Sequence, residues 1–141
     1  MTTITPTDFR VVRDDGASLS AKAGETISSR KGKFLRIDPT TSLAMLGNAS
    51  SAAEAGGAAG HGGFAMSDQA QVGDAVTLFR RGLIDWGTGL DSVANGALVY
   101  LGDTDSLFQD SAGTVTVVLG KVHAVVESDG SVKKFLLADI Q

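Results

Sequence analysis

The chain has 141 residues, a formal net charge of −4 and no cysteine. This length fits one domain and leaves no room for a second independent core. The lack of cysteine excludes disulfides, thiolate metal sites and a cysteine nucleophile. The 12 basic residues are scattered along the chain. Because nucleic-acid binders concentrate Lys and Arg on one face, we expect no nucleic-acid partner.

No apolar run approaches the roughly 20 residues that span a bilayer. The first residues also lack the charged start and apolar core of a secretory signal. We therefore expect a soluble protein that has no membrane partner and is not exported.

The first eight residues carry threonines around Ile4 and Pro6 and show no periodicity. Pro6 lacks an N–H group and pushes Thr5 towards an extended conformation. We predict that residues 1–8 form an extended N-terminal arm, either frayed or ordered on a partner, and that residues 9–141 form a single β domain. Such an arm can add to an exposed sheet edge. The candidate partner-binding residues of this region are Thr2, Thr3, Ile4, Thr5, Pro6, Thr7 and Phe9.

Short apolar strands separated by Gly and Asp turns follow the arm. We predict strands at 9–13, 17–21, 26–30 and 33–37, the last two flanking Lys31-Gly32 as a hairpin loop. Residues 47–62 interrupt this pattern, since they are rich in Gly and Ala and nearly free of large side chains. They cannot bury enough apolar area to offset their ordering entropy. We predict a flexible Gly/Ala-rich loop there, mobile or ordered by a partner.

The second half of the chain repeats the strand and turn pattern. Strands are predicted at 63–66, 74–79, 83–86, 97–101, 114–119, 122–126 and 132–137. Arg80 and Arg81 form a basic turn between two of these strands. Strands that recur every 8 to 12 residues indicate an all-β sandwich or a small β-barrel.

The sequence contains no strong motif for phosphate binding, metal binding or catalysis. The Gly-rich loop lacks the Gly-Lys-Ser/Thr ending of a phosphate loop. His61 and His123 stand far apart, and no further carboxylate follows Asp103 and Asp105 at calcium-loop spacing. We expect a protein that is not an enzyme, with no catalytic residues, cofactor or metal.

Two other functions stay open. A β-barrel glycan- or ligand-binding module would use Trp86 and Tyr100 as stacking platforms, although lone strand aromatics are more often core. The stretch Gly82–Gly87 resembles the substrate motif of trimeric dUTP pyrophosphatases, but their arginine-serine phosphate motif is missing.

From residue 63 onward, glycines punctuate the strands in a characteristic order: Gly63-Phe64-Ala65-Met66, Gly73-Asp74, Arg81-Gly82-Leu83-Ile84, Asn95 to Leu101, and Leu119-Gly120-Lys121-Val122. This order resembles the capsid cement, or head decoration, proteins of tailed bacteriophages over residues 63–138. The Gly/Ala-rich insertion is longer than that pattern needs.

The resemblance implies a β-barrel or tulip-like β-sandwich that needs no cofactor. It also implies a homo-oligomer, commonly a trimer, that binds the major capsid protein on the outer surface of the virion and stabilises the head by bridging capsid subunits. Such a protein is made in the host bacterial cytoplasm. Arg80 and Arg81 would then face the capsid or a sister subunit.

Overall fold

The structure, a computed structural model, describes residues 2–27, 29–57, 60–68 and 71–140. Within these ranges the chain forms β-strands and turns and no α-helix, and no helix there could cross a membrane. The strands are β1 (Thr3–Ile4), β2 (Arg10–Asp14), β3 (Leu19–Lys22), β4 (Phe34–Ile37), β5 (Ala44–Leu46), β6 (Gly63–Ala65), β7 (Ala75–Phe79), β8 (Arg81–Asp85), β9 (Leu98–Leu101), β10 (Phe108–Gln109), β11 (Val118–Val126) and β12 (Val132–Asp139).

The strands form two antiparallel sheets. Sheet A has seven strands in the order β1-β10-β9-β11-β12-β8-β2, and sheet B has five in the order β3-β7-β6-β4-β5. This confirms the predicted all-β fold. Of the two predicted forms, the structure is consistent with a sandwich, because neither sheet closes into a barrel within the described ranges. An isolated parallel bridge joins Ala23, the residue after β3, to Ala44 of β5.

Strands β4, β6 and β7 of sheet B bury side chains on both faces, whereas β3 at the edge of the sheet exposes Ser20 and Lys22. Three phenylalanines on β4, β6 and β7 face a large apolar cluster shared with sheet A, which we call the main core. Each of these phenylalanines has a sequence neighbour that faces a smaller cluster on the other side of the sheet. These neighbours are Leu35, Ala65 and Leu78. Alternation along a strand produces this division, since successive side chains point to opposite faces. Strands β4, β6 and β7 therefore form a middle layer between two apolar clusters.

Sheet A is curved. Its two edge strands, β1 and β2, are separated in sequence by residues 5–9 only. Six residue steps reach at most about 22 Å. A flat seven-stranded sheet would be about 29 Å wide, from the spacing of neighbouring strands. The edges of sheet A must therefore bend towards each other.

Several predicted strand bounds differ from the structure. β11 is one continuous strand through Gly120, where two strands were predicted, and residues 114–117 lie outside it. Gly120 lies opposite Ala138, and a Cβ there would collide with the carbonyl oxygen of Leu137. This glycine permits a close approach between strands and does not form a turn. The predicted strand at 26–30 is absent from its described residues, and Ser28 lies outside them.

Candidate partner-binding site

The N-terminal segment, described from residue 2 to residue 8, lies on the body. β1 pairs with β10, and Ile4 is 3% exposed in the main core. The backbone N–H of Thr2 donates to Asp110 Oδ1 at 2.7 Å, and this hydrogen bond lowers the pKa of the Asp110 carboxyl. The hydrogen bond is thus retained at neutral pH and lost as the pH falls through that lowered value.

The segment then crosses the end of the sandwich towards β8. The backbone N–H of Thr7 donates to the carbonyl of Trp86 at 3.1 Å, and Pro6 lies against Gly89. The Phe9 ring lies 6.1 Å from that of Phe64. This arrangement differs from the expected separate arm, because Ile4 and Phe9 both contact the main core and anchor the residues between them. Met1 lies outside the described residues.

An aromatic cluster lies beneath this crossing. The Trp86 ring stacks on Phe108 at 4.9 Å and meets Phe64 edge to face at 5.8 Å. Trp86 is 0% exposed, so it is a core residue and is not accessible as the stacking platform that the alternative glycan-binding function would need. Tyr100 is half-buried on sheet A. The two aromatic residues therefore do not form a joint ligand surface.

Arg80 and Arg81 do not form a turn. β7 belongs to sheet B and β8 to sheet A, and Arg80 is the one residue between them. Arg80 is half-buried and donates from Nη2 to the carbonyl of His61 at 3.3 Å. Arg81 is exposed and forms an ion pair with Asp139 at 3.0 Å. Arg81 is the first residue of β8, whereas Thr7 is hydrogen-bonded to Trp86, just after the last residue of β8. The N-terminal segment and the Arg80–Arg81 pair, the two predicted partner-binding regions, therefore lie apart.

The Gly/Ala-rich segment packs on the body over residues 47–57. Ala49 is 0% exposed and Ala55 is 2% exposed. The backbone N–H of Ala49 donates to the carbonyl of Gly102 at 2.7 Å, and Asn48 Nδ2 donates to Asp105 Oδ1 at 2.7 Å. This differs from the predicted loose loop because small side chains allow close backbone packing. Residues 58 and 59 lie outside the described residues.

The outer face of sheet A, the face turned away from the main core, is a surface that sequence patterns did not reveal. Leu136 and Ala138 point into the main core, so Leu137 between them points outward. Leu137 lies between Lys121 on β11 and Leu83 on β8, and Lys121 lies opposite Leu98 on β9. An open groove of about 770 Å³ lies over this face. Its lining comprises Asp15, Arg81, Leu98, Val118, Gly120, Lys121, Leu137, Ala138 and Asp139.

A buried carboxylate, that of Asp85 at the end of β8, links three strands of the same face. Asp85 is 3% exposed and accepts hydrogen bonds from Lys133 Nζ (2.8 Å), Arg10 Nη2 (3.0 Å) and the backbone N–H of Gly87 (2.8 Å). Burial raises the pKa of Asp85, but these hydrogen bonds together outweigh it and lower the pKa. Asp85 is therefore ionised at neutral pH and acts as an anchor between β8, β2 and β12.

In the part of the chain that the structure describes, no group of three or more His, Cys, Asp or Glu side chains is placed to hold a metal ion. No family model matches the chain, and no curated protein is significantly similar to it.

Proposed function

We propose that this protein is a capsid decoration protein of a tailed bacteriophage, a homo-oligomer that binds the outer surface of an assembled head and stabilises it by bridging major capsid subunits. The proposal begins from the order of glycine-punctuated strands in residues 63–138. This stretch supplies five strands of sheet A and two of sheet B. The resemblance therefore concerns most of the β body.

The observation that carries the proposal is the position of the glycines in that pattern. A Cβ on Gly82 would collide with the carbonyl of Arg13, one on Gly120 with the carbonyl of Leu137, and one on Gly63 would lie 2.5 Å from the carbonyl of Phe79. In each case the neighbouring backbone belongs to another strand. The pattern thus reflects how strands approach each other, which supports a shared β architecture over a chance succession of turns.

Decoration stabilises a head by linkage. A protein that binds the assembled shell better than separated capsid subunits shifts the equilibrium towards the shell. Contacts that recur across a lattice gain through effective concentration, so each contact can be weak.

Co-sedimentation with purified heads that lack a decoration protein tests the proposal. We expect saturable binding to heads of the phage that encodes the chain, and a higher temperature of head disruption in its presence. Unassembled capsid protein is the control and should bind more weakly. Absence of binding to the heads would contradict the proposal.

A further inference from the structure

The centre of the outer face of sheet A holds a cation with no ion pair among the described residues. This cation is Lys121, an exposed residue of β11. The other basic residues on this face each have a carboxylate partner. Arg10 and Lys133 share Asp85, Arg13 pairs with Asp15, and Arg81 pairs with Asp139. Lys121 therefore remains available to a carboxylate from outside the chain.

Apolar side chains surround this lysine. Leu98 lies directly opposite it on β9 and is 44% exposed. Val118 and Leu137 are partly exposed and line the groove with it. Apolar side chains around a charge pair strengthen the pair when a partner covers them, because water is then excluded from the two charges.

The charge of the face selects the kind of partner. The face holds five of the 12 basic residues of the chain and three of its 16 acidic residues, on a protein whose net charge is −4. Two such faces would repel each other, which disfavours a symmetric contact between copies. A surface that carries carboxylates is attracted instead.

We propose that the outer face of sheet A docks an acidic protein surface, in which a carboxylate pairs with Lys121 and an adjacent apolar side chain covers Leu98, Val118 and Leu137. The inference rests on the proposed function, and the acidic surface is then that of the major capsid protein. It places the docking face on the body and not on the N-terminal segment.

Binding of charge variants to phage heads tests this assignment. Lys121→Glu should weaken co-sedimentation with heads by about tenfold or more, since it places two carboxylates in contact. Lys22→Glu is the matched control. Lys22 is an exposed strand lysine of sheet B without an ion pair among the described residues, so its variant should bind within about twofold of the wild type.

The apolar contribution has its own pair of variants. Leu98→Ser should weaken binding, whereas Val72→Ser, at a residue 63% exposed and outside both sheets, should not. Urea unfolding confirms that each variant is folded, and Lys121→Arg should retain binding because it keeps the positive charge.

The outcomes separate the two proposals. Wild-type binding with equal loss for Lys121→Glu and Lys22→Glu, or with no loss for either, overturns the face assignment and leaves the decoration function intact. No wild-type binding overturns both. If Lys121→Glu changes the oligomeric mass in sedimentation velocity and leaves head binding unchanged, the face contacts a second copy and the acidic-partner assignment is wrong.

Discussion

Replacing Ile4 by alanine tests whether the N-terminal segment belongs to the fold. Ile4 is 3% exposed and lies opposite Phe108 in the pairing of β1 with β10. The substitution removes three buried carbons, which corresponds to about 2.4 kcal/mol of transfer free energy. A cavity that the segment cannot fill raises the loss towards about 4 kcal/mol. We therefore expect the free energy of unfolding to fall by about 2.5 to 4 kcal/mol.

Urea unfolding followed by Trp86 fluorescence is the assay, because Trp86 lies in the aromatic cluster beneath the segment. The expected loss appears as a lower midpoint with an unchanged slope. Thr5→Ala is the control. Thr5 is exposed in the same segment, so its variant should stay within about 0.5 kcal/mol of the wild type.

The position of Ile4 near the chain end sets an upper limit on this effect. If residues 2–8 detach before the body unfolds, the loss cannot exceed the free energy that docks the segment. Faster hydrogen exchange at the β1 amides would then accompany a smaller loss of global stability. An Ile4→Ala variant as stable as Thr5→Ala, with unchanged exchange at Ile4, would refute the reasoning.

Three further substitutions test other features. Gly82→Ala meets the carbonyl of Arg13 at a φ of 137° and should lower stability by at least about 2 kcal/mol in urea; Gly96→Ala, at an open position, should lower it by about 1 kcal/mol. Asp85→Asn should lower stability by about 1.5 to 3 kcal/mol at neutral pH. The pKa of Asp85 is lower in the folded state than in the unfolded state, so Asp85 stabilises the fold at pH values above its unfolded pKa, and this stabilisation is lost as the pH falls through its folded pKa. The difference in stability between Asp85→Asn and the wild type should therefore disappear in acid. A difference that persists through the acid range contradicts this. Arg30→Met removes a guanidinium that is 0% exposed, that donates long hydrogen bonds to Ser67 from Nε (3.4 Å) and Nη2 (3.3 Å), and whose Nη1 has no hydrogen-bond partner among the described residues. Its stability should be unchanged or higher, and a loss above about 2 kcal/mol would show that the charge is compensated.

The sequence predicts most of the β body because its strands alternate. β4, β7, β9 and β12 each lie within two residues of their predicted bounds. Alternation between apolar and polar residues records which face is buried, so it survives without knowledge of the partner strands. The all-β class follows from the same signal.

Tertiary contacts explain the errors. Gly120 is typical of a turn in sequence, but it lies within β11, where glycine is required because the backbone of Leu137 leaves no space for a side chain. β10 has two residues and becomes a strand by pairing with β1 and β9, which its own sequence does not encode. Ala49 and Ala55 are buried by contacts with the rest of the body. The small apolar area of an alanine side chain does not predict such burial.

Sequence patterns could not predict the candidate docking face for a related reason. Lys121 and Leu98 stand more than twenty residues apart and are brought together by strand register. The bulge between Val118 and Gly120 shifts that register. A one-residue change of pairing reverses which side chains share a face. Sequence periodicity therefore gives the alternation of each strand but not the set of side chains that forms a common surface.

The middle layer has a consequence for how the protein unfolds. β4, β6 and β7 contribute Phe34, Phe64 and Phe79 to one cluster and Leu35, Ala65 and Leu78 to the other. Separating these strands exposes both clusters to water at once. We therefore expect the two clusters to be lost together, in one cooperative unfolding transition.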